Sequence, residues 1–263
     1  MVAGKMAKLV GAEWVAARIE SNEIIVVDPR RPMKYLSGHL PGAINLPVYQ
    51  AFGADAKLLA TVALTDFFGR AGLGGSATPV IYDSPEGQNA AMLAWTLEYL
   101  GRGDVLVADF TYEYWKAQGM EVRYKPVTAR PATFVARENP ALRASLEEVR
   151  IGAGLKLIDL RSREEFSGER TMGEDAPGHI PGAINLEWRD FASPPERLLA
   201  PAEKIERMLI AAGVRRDDRI VTYCRSGPRA ALGYLALKES GYDVRLFDGS
   251  FAEWSRNGLP AEK

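Results

Sequence analysis

The sequence predicts an α/β protein built from two copies of one unit, each a mostly parallel sheet with helices on both faces. The first observation is an internal repeat, because residues 38–46 (GHLPGAINL) recur as residues 178–186 (GHIPGAINL). The second is that short apolar runs alternate with helical stretches, which is typical of parallel sheets. The third is the length of the period, which indicates duplicated domains and excludes a solenoid of short repeats.

The elements are placed most clearly in the second copy. Residues 1–20 of the first copy predict an amphipathic helix, and the second copy carries an insertion at residues 169–176. Both copies end a strand in an Asp-x-Arg motif, at Asp28 and Asp159. Predicted strands of the second copy cover residues 156–159, 183–186, 220–223 and 244–247, and predicted helices lie near 145–150, 163–167, 201–212, 228–240 and 250–256.

The segment between the copies is the best candidate for a linker. Residues 124–131 contain two prolines and show no apolar periodicity. We therefore predict a first domain over residues 1–123, a linker over 124–131 and a second domain over 132–263.

Composition excludes several classes of protein. The 33 basic and 34 acidic residues give a net charge of −1, which is no basis for expecting a nucleic-acid partner. The single cysteine excludes an intrachain disulfide and favours a reducing compartment. Because no apolar stretch is long enough to span a bilayer and no cleavage pattern follows the N-terminus, we expect a cytoplasmic protein without a membrane partner.

The lone cysteine, Cys224, lies where an apolar strand pattern (220–223) ends and before a helical pattern begins at Ala230. Backbone N–H groups at a helix start lack intrahelical partners and stabilise an anion. This context predicts a nucleophilic thiolate, the alternative being a small buried apolar residue. The first copy has Asp83 at the same position and Glu86 nearby, so we expect it to be chemically inert.

The residues that follow Cys224 carry the other predicted roles. Arg225 and Arg229 are expected to attract and hold an anionic donor, although Arg229 could instead pair with a neighbouring acid such as Asp159. Ser226 and Gly227 are expected to shape the loop, with Gly227 at positive φ so that amides turn toward the sulfur.

Asp159 and Arg161 follow the strand predicted to neighbour the cysteine strand. Asp159 belongs either to the site or to a structural hydrogen bond, since Asp28 repeats it. His39 and His179 occupy equivalent turns, which favours a hydrogen bond that fixes the turn. No Cys/His cluster has metal-ligand spacing, so we expect no zinc. We also expect the thiol to be activated by electrostatics and not by a histidine base.

The chain resembles the tandem-domain rhodanese family of sulfurtransferases. The resemblance covers nearly the whole chain and rests on the doubled G-H-[LI]-P-G-A-I-N-L turn, the Asp-x-Arg strand ends, the C-R-S-G-P-R loop and the repeated segment that ends in Trp115 and Trp254. It implies two similar α/β domains around five-stranded parallel sheets, of which only the C-terminal one is active.

The resemblance also implies a ping-pong reaction. The thiolate takes sulfane sulfur from a small anionic donor such as thiosulfate, and the persulfide passes it to cyanide, a thiol or a protein acceptor. No organic cofactor or metal is implied. Cys224 would be the catalytic residue, and the residues expected to bind substrate or stabilise the persulfide are Arg225, Ser226, Gly227, Arg229, Asp159 and Arg161.

The donor is predicted from the loop residues. Relatives that use thiosulfate resemble C-R-K-G-V-T, and Arg225 fits them; relatives that use 3-mercaptopyruvate resemble C-G-S-G-V-T, and Ser226 fits those. Glu165 replaces an arginine that contacts substrate in both types, which favours thiosulfate over a carboxylate donor. Arg161, Arg163 or Arg170 could substitute for it, so 3-mercaptopyruvate stays an alternative.

Two other interpretations remain open. A cysteine-dependent phosphatase also places a cysteine before a helix, but with a longer loop than the four residues between Cys224 and Arg229. A persulfide carrier or regulatory module without turnover would keep the fold and the thiol.

Overall fold

The computed structural model describes residues 8–173 and 177–263, which form two compact units. The first unit contains the chain up to residue 52 with residues 59–139 and 193–199; the second contains residues 53–58, 140–192 and 200–263. The boundary between residues 139 and 140 lies later than the predicted linker. The reason is backbone hydrogen bonding, since the N–H groups of Ala132 and Arg137 donate to carbonyls of the first unit at Gly69 and Leu100.

The first unit is a five-stranded, all-parallel sheet in the order β1-β5-β4-β2-β3. Its strands are β1 (Lys8–Val10), β2 (Ile24–Asp28), β3 (Ile44–Asn45), β4 (Thr78–Asp83) and β5 (Leu106–Thr111), and its helices are α1 (Ala12–Ala16), α2 (Pro32–Leu36), α3 (Thr61–Arg70), α4 (Gln88–Tyr99) and α5 (Tyr112–Ala117).

The second unit contains a four-stranded parallel sheet in the order β7-β6-β8-β9. Its strands are β6 (Leu155–Asp159), β7 (Ile184–Asn185), β8 (Arg219–Tyr223) and β9 (Val244–Leu246), and its helices are α6 (Leu146–Ile151), α7 (Arg163–Phe166), α8 (Ala202–Ala211), α9 (Pro228–Glu239) and α10 (Ser250–Arg256).

The α/β class with two repeated domains is confirmed, and the fifth strand of the second sheet is reduced to one bridge. Arg143 forms a parallel bridge with Leu246, and the Ala144 N–H donates to the Leu246 carbonyl at 2.9 Å. Immediately afterwards Ser145 starts α6, in a capping box with Glu148. A 3-10 helix, Pro140–Leu142, ends directly before Arg143, so the two helical elements leave no room for a longer strand.

The prediction of a single helix over residues 1–20 is wrong for the part that the structure describes. Residues 8–10 pair with β5 as strand β1, and α1 begins only at Ala12. Gly11, in extended conformation, separates the two elements as the N-cap of α1. Residues 1–7 lie outside the described chain.

Both faces of the first sheet are buried. Val26 and Val27 are successive residues of β2, which point to opposite faces, and they are 3% and 0% exposed. Val26 packs in the core cluster that includes Val15 of α1 and Trp115 of α5. α4, which is buried along nearly its whole length, contacts β4.

The topology brings the predicted site residues to one edge of the second sheet. β6 and β8 are neighbours, and Asp159 pairs with Tyr223, so Asp159 and Cys224 come from adjacent strand ends. In such sheets, ligands bind beyond the carboxyl ends of the strands. Across residues 8–173 and 177–263, no helix has both the length and the apolar character needed to span a bilayer.

Candidate active site

Cys224 lies between the end of β8 and the start of α9. Pro228 occupies the first turn of the helix, where a missing N–H costs nothing. Gly227, the N-cap residue, has φ +107°, as the sequence predicts, and its N–H donates to the Cys224 Sγ at 3.1 Å. A left-handed backbone at this glycine therefore turns an amide onto the sulfur.

The surroundings of Cys224 are polar although the residue is only 1% exposed. Its own N–H donates to the Ser250 Oγ at 3.3 Å, and that hydroxyl donates to the Phe247 carbonyl at 2.9 Å. Sequence reasoning missed Ser250. The signal was available, because the repeat aligns Ser250 with Thr111, which caps the last helix of the first domain.

Arg229 pairs with a neighbouring acid, the alternative that the sequence analysis left open, but that acid is Glu165 and not Asp159. Its two terminal nitrogens donate to the two carboxylate oxygens of Glu165 at 2.6 and 3.0 Å. Burial opposes the charged form of Arg229, but the hydrogen bonds to Glu165 and the charges of Cys224 and Glu165 raise its pKa overall. Arg229 is thus a fixed positive charge beside the thiol.

Glu165 stands at the position where the sequence predicts the loss of a substrate-contacting arginine, but its pairing with Arg229 was not predicted. It is 3% exposed, and the hydrogen bonds and charge of Arg229 outweigh burial and lower its pKa to about 2. Ser162 and Glu165 form a capping box at the start of α7, which positions the carboxylate. The Arg170 side chain adds a weaker contact at 3.4 Å to the same carboxylate. Arg163 is exposed, and its backbone N–H donates to the Glu187 carboxylate.

Arg225 links the loop to the insertion of the second domain. Its Nη2 donates to the Met172 carbonyl at 2.5 Å. Ser226, next in the loop, is half-buried. The end of the predicted insertion, residues 174–176, lies outside the described chain.

Asp159 and Arg161 form a buried ion pair that the first domain repeats. Arg161 donates to both Asp159 oxygens at 2.7 to 3.1 Å and to the Gly178 carbonyl at 2.8 Å. Arg30 makes the matching contacts with Asp28. Because the copy without a thiol has the same pair, the pair's architectural task is to tie the strand end to the Gly-His turn.

The two histidines fix these turns in the predicted manner. His39 Nδ1 lies 3.0 Å from the Tyr35 carbonyl and His179 Nδ1 lies 3.0 Å from the Phe166 carbonyl. Each ring also stacks on the aromatic residue of that carbonyl. In the described part of the chain, no group of three or more His, Cys, Asp or Glu side chains could hold a metal ion.

The comparisons with known proteins agree with this architecture. The Rhodanese-like domain profile matches residues 11–118 and 142–257. A thiosulfate sulfurtransferase of Corynebacterium glutamicum is 31% identical, over 94% of this chain and 87% of the relative. A Pseudomonas aeruginosa protein named "Probable 3-mercaptopyruvate sulfurtransferase" is 29% identical, over 94% of this chain and 95% of the relative.

A solved structure gives the same fold. The anaerobic ergothioneine biosynthesis enzyme of Chlorobium limicola superposes with a TM-score of 0.88 at 24% identity, covering 97% of this chain and 70% of that one. The two profile matches together span most of the sequence, and they identify the repeated unit as a rhodanese-like domain. The chain belongs to the rhodanese family of sulfurtransferases and carries two copies of the rhodanese-like domain.

Proposed function

We propose that this protein moves sulfane sulfur from thiosulfate to a thiol or to cyanide through a persulfide on Cys224. The observation that carries the proposal is the Gly227 N–H donating to the Cys224 Sγ at 3.1 Å, at the start of α9. An amide and a helix N-terminus aimed at one sulfur stabilise negative charge there. The same donors would hold the terminal sulfur of a persulfide anion.

The reaction balances without an external oxidant, cofactor or metal. The Cys224 thiolate attacks the outer sulfur of thiosulfate, the S–S bond breaks, and sulfite leaves with the bonding electron pair. An acceptor thiolate or cyanide then attacks the terminal sulfur and releases the Cys224 thiolate. The products are the acceptor persulfide or thiocyanate, which makes the cycle ping-pong.

Arg229 and Glu165 support thiosulfate as the donor. The Arg229 guanidinium beside the sulfur attracts a small dianion, and Arg225 adds a second positive charge to the loop. Glu165, which pairs with Arg229, stands where related sulfurtransferases of both types carry an arginine that contacts substrate, so that arginine is not there to hold a donor carboxylate. The name of the Pseudomonas aeruginosa relative nevertheless makes 3-mercaptopyruvate the second candidate donor.

Intact-mass measurement after mixing with each donor tests the proposal. We expect thiosulfate to add one sulfur atom to the wild-type protein and none to Cys224→Ser, and cyanide to remove that sulfur as thiocyanate. Faster loading by 3-mercaptopyruvate would overturn the choice of donor and leave the nucleophile intact. Loading of Cys224→Ser would overturn the nucleophile, and phosphate release from an aryl phosphate without any sulfur loading would favour the phosphatase interpretation.

A persulfide that forms but never turns over would mark the carrier alternative. The discriminating measurement is the number of thiocyanate molecules released per protein molecule when thiosulfate and cyanide are both in large excess over the protein. Repeated turnover supports the enzyme, while one equivalent of product supports a carrier dedicated to a protein acceptor.

A further inference from the structure

A cavity of about 580 Å³ lies at the carboxyl ends of the strands of the first domain, and the proposed sulfur-transfer cycle does not use it. Its floor includes Asp83, at the position that Cys224 takes in the second domain. Cavities of this size hold small molecules in many proteins. The duplication has therefore left a pocket whose chemistry differs from that of the thiol loop.

The floor of this cavity is closed to anions. The Asp83 carboxylate accepts the N–H groups of Ser84 and Asn89 at 2.8 Å and that of Ala90 at 3.1 Å. The Asn89 and Ala90 N–H groups lie in the first turn of α4 and would otherwise be available to a phosphate or sulfate. Any charged ligand must be recognised by the walls instead.

The walls carry charges of both signs that the protein does not neutralise. Arg31 and Lys34 line one part of the cavity, and Glu86 and Glu113 line another. All four side chains are exposed, and within residues 8–173 and 177–263 none of them forms an ion pair. The second domain differs here. Glu165, which the repeat aligns with Lys34, forms an ion pair with Arg229.

The order of the strands separates the two signs. Arg31 and Lys34 follow β2 and lie at or on α2, whereas Glu113 lies on α5 after β5, and β4 runs between β2 and β5. Neighbouring strands are about 4.8 Å apart, so these two strand ends are about 10 Å apart. Glu86 follows β4 and so lies between the ends of β2 and β5. The Arg31 Cζ lies 5.3 Å from the centroid of the Tyr49 ring, a contact that restrains the Arg31 guanidinium.

We propose that this cavity binds a zwitterionic peptide of two or three residues, with its carboxylate at Arg31 and Lys34 and its ammonium at Glu86 and Glu113. An extended chain spans roughly 3.5 Å per residue, so two or three residues reach about 7 to 10 Å, which is comparable with the separation of the β2 and β5 strand ends that carry the two walls. A free amino acid is too short to reach from Arg31 and Lys34, which follow β2, to Glu113, which follows β5. A dianion such as thiosulfate matches only one of them.

Calorimetric titration of the 263-residue protein with Ala-Ala-Ala tests the proposal. We expect a Kd of about 1 mM or tighter. The N-acetylated peptide, which lacks the ammonium, and the C-terminal amide, which lacks the carboxylate, should each bind at least tenfold more weakly.

Two variants assign the walls separately. Lys34→Met should weaken binding of Ala-Ala-Ala and of its N-acetyl form about tenfold while sparing the amide; Glu113→Gln should weaken the parent and the amide while sparing the N-acetyl form. Lys116→Met, which removes a cation from the same helix as Glu113, and Glu13→Gln, which removes an exposed acid from α1, are matched controls outside the cavity. All four variants should keep the wild-type sulfur-transfer rate, so that failure here is distinct from failure of the proposed function.

Three results would overturn this inference. The first is the absence of binding at roughly 10 mM peptide, ten times the weakest Kd expected. The second is equal binding of the parent peptide and both blocked forms. The third is binding that Lys34→Met and Glu113→Gln leave unchanged, or that the two controls weaken equally.

Discussion

Glu165→Gln is the perturbation that most directly tests how the thiol loop is held. The change keeps the size of the side chain and removes the charge that pairs with Arg229 at 2.6 and 3.0 Å. Breaking a buried ion pair costs about 3–5 kcal/mol, because one charge is left without a partner. The Arg229 side chain is 21% exposed, and the amide oxygen of glutamine still accepts a hydrogen bond, so we expect a smaller loss of about 2 kcal/mol.

The pKa of Glu165 gives an independent upper bound. Its fall from an ordinary 4.5 to about 2 corresponds to about 3 kcal/mol of stabilisation of the ionised form. Because the folded pKa is lowered, this stabilisation is fully present above pH 4.5 and is lost as the pH falls toward 2. By pH 3 it should drop to less than about half. The gap between the wild type and Glu165→Gln should therefore shrink on acidification.

Thiol labelling in urea is the appropriate assay. Cys224 is the only cysteine and is 1% exposed, so labelling with a maleimide carried on a bulky polyethylene glycol, which is too large to enter the folded thiol loop, reports the opening of the second domain even where the two domains unfold separately. The labelling rate without urea gives the native baseline. Glu164→Gln, at an exposed neighbouring acid, is the matched control and should shift the urea midpoint little. An equal shift in both variants, or a gap that is constant from pH 7 to pH 3, would refute the account of Glu165.

Three further predictions concern Gly227, Asp83 and the Asp159–Arg161 pair. Gly227→Ala forces a residue with a Cβ into φ +107°, so we expect a loss of about 2 kcal/mol and a persulfide-forming rate at least tenfold lower; an unchanged rate in mixing experiments would show that the Gly227 N–H does not serve the sulfur of Cys224. Burial raises the pKa of Asp83 to about 6, so ionisation of its carboxylate should destabilise the folded protein as the pH rises from 4 to 7. The loss relative to Asp83→Asn should reach about 3 kcal/mol. A difference in unfolding free energy between the wild type and Asp83→Asn, measured in urea, that does not vary with pH would contradict this. Asp159→Asn leaves the buried Arg161 without its counter-charge and should lower the free energy of unfolding by about 3 kcal/mol, whereas thermal denaturation at the wild-type midpoint would mean that the pair is dispensable.

The architecture follows from local patterns in the sequence. The repeated turn at residues 38–46 and 178–186 indicates the duplication, and the alternation of apolar runs with helical stretches predicts parallel sheets. The position of Cys224 between a strand and a helix is also a local property, and so is the positive φ of Gly227. These features depend on residues close together in the chain, which is why sequence reasoning finds them.

Contacts between distant residues were decided by the tertiary structure. Arg229 meets Glu165 across 64 positions of sequence, and Ser250 reaches the Cys224 N–H across 26. A pattern of residue types leaves several acids near Arg229 equally plausible, and only the packing of α7 against the loop selects one. Strand β1 was missed for the same reason, because three residues become a strand only when β5 supplies their hydrogen-bond partners.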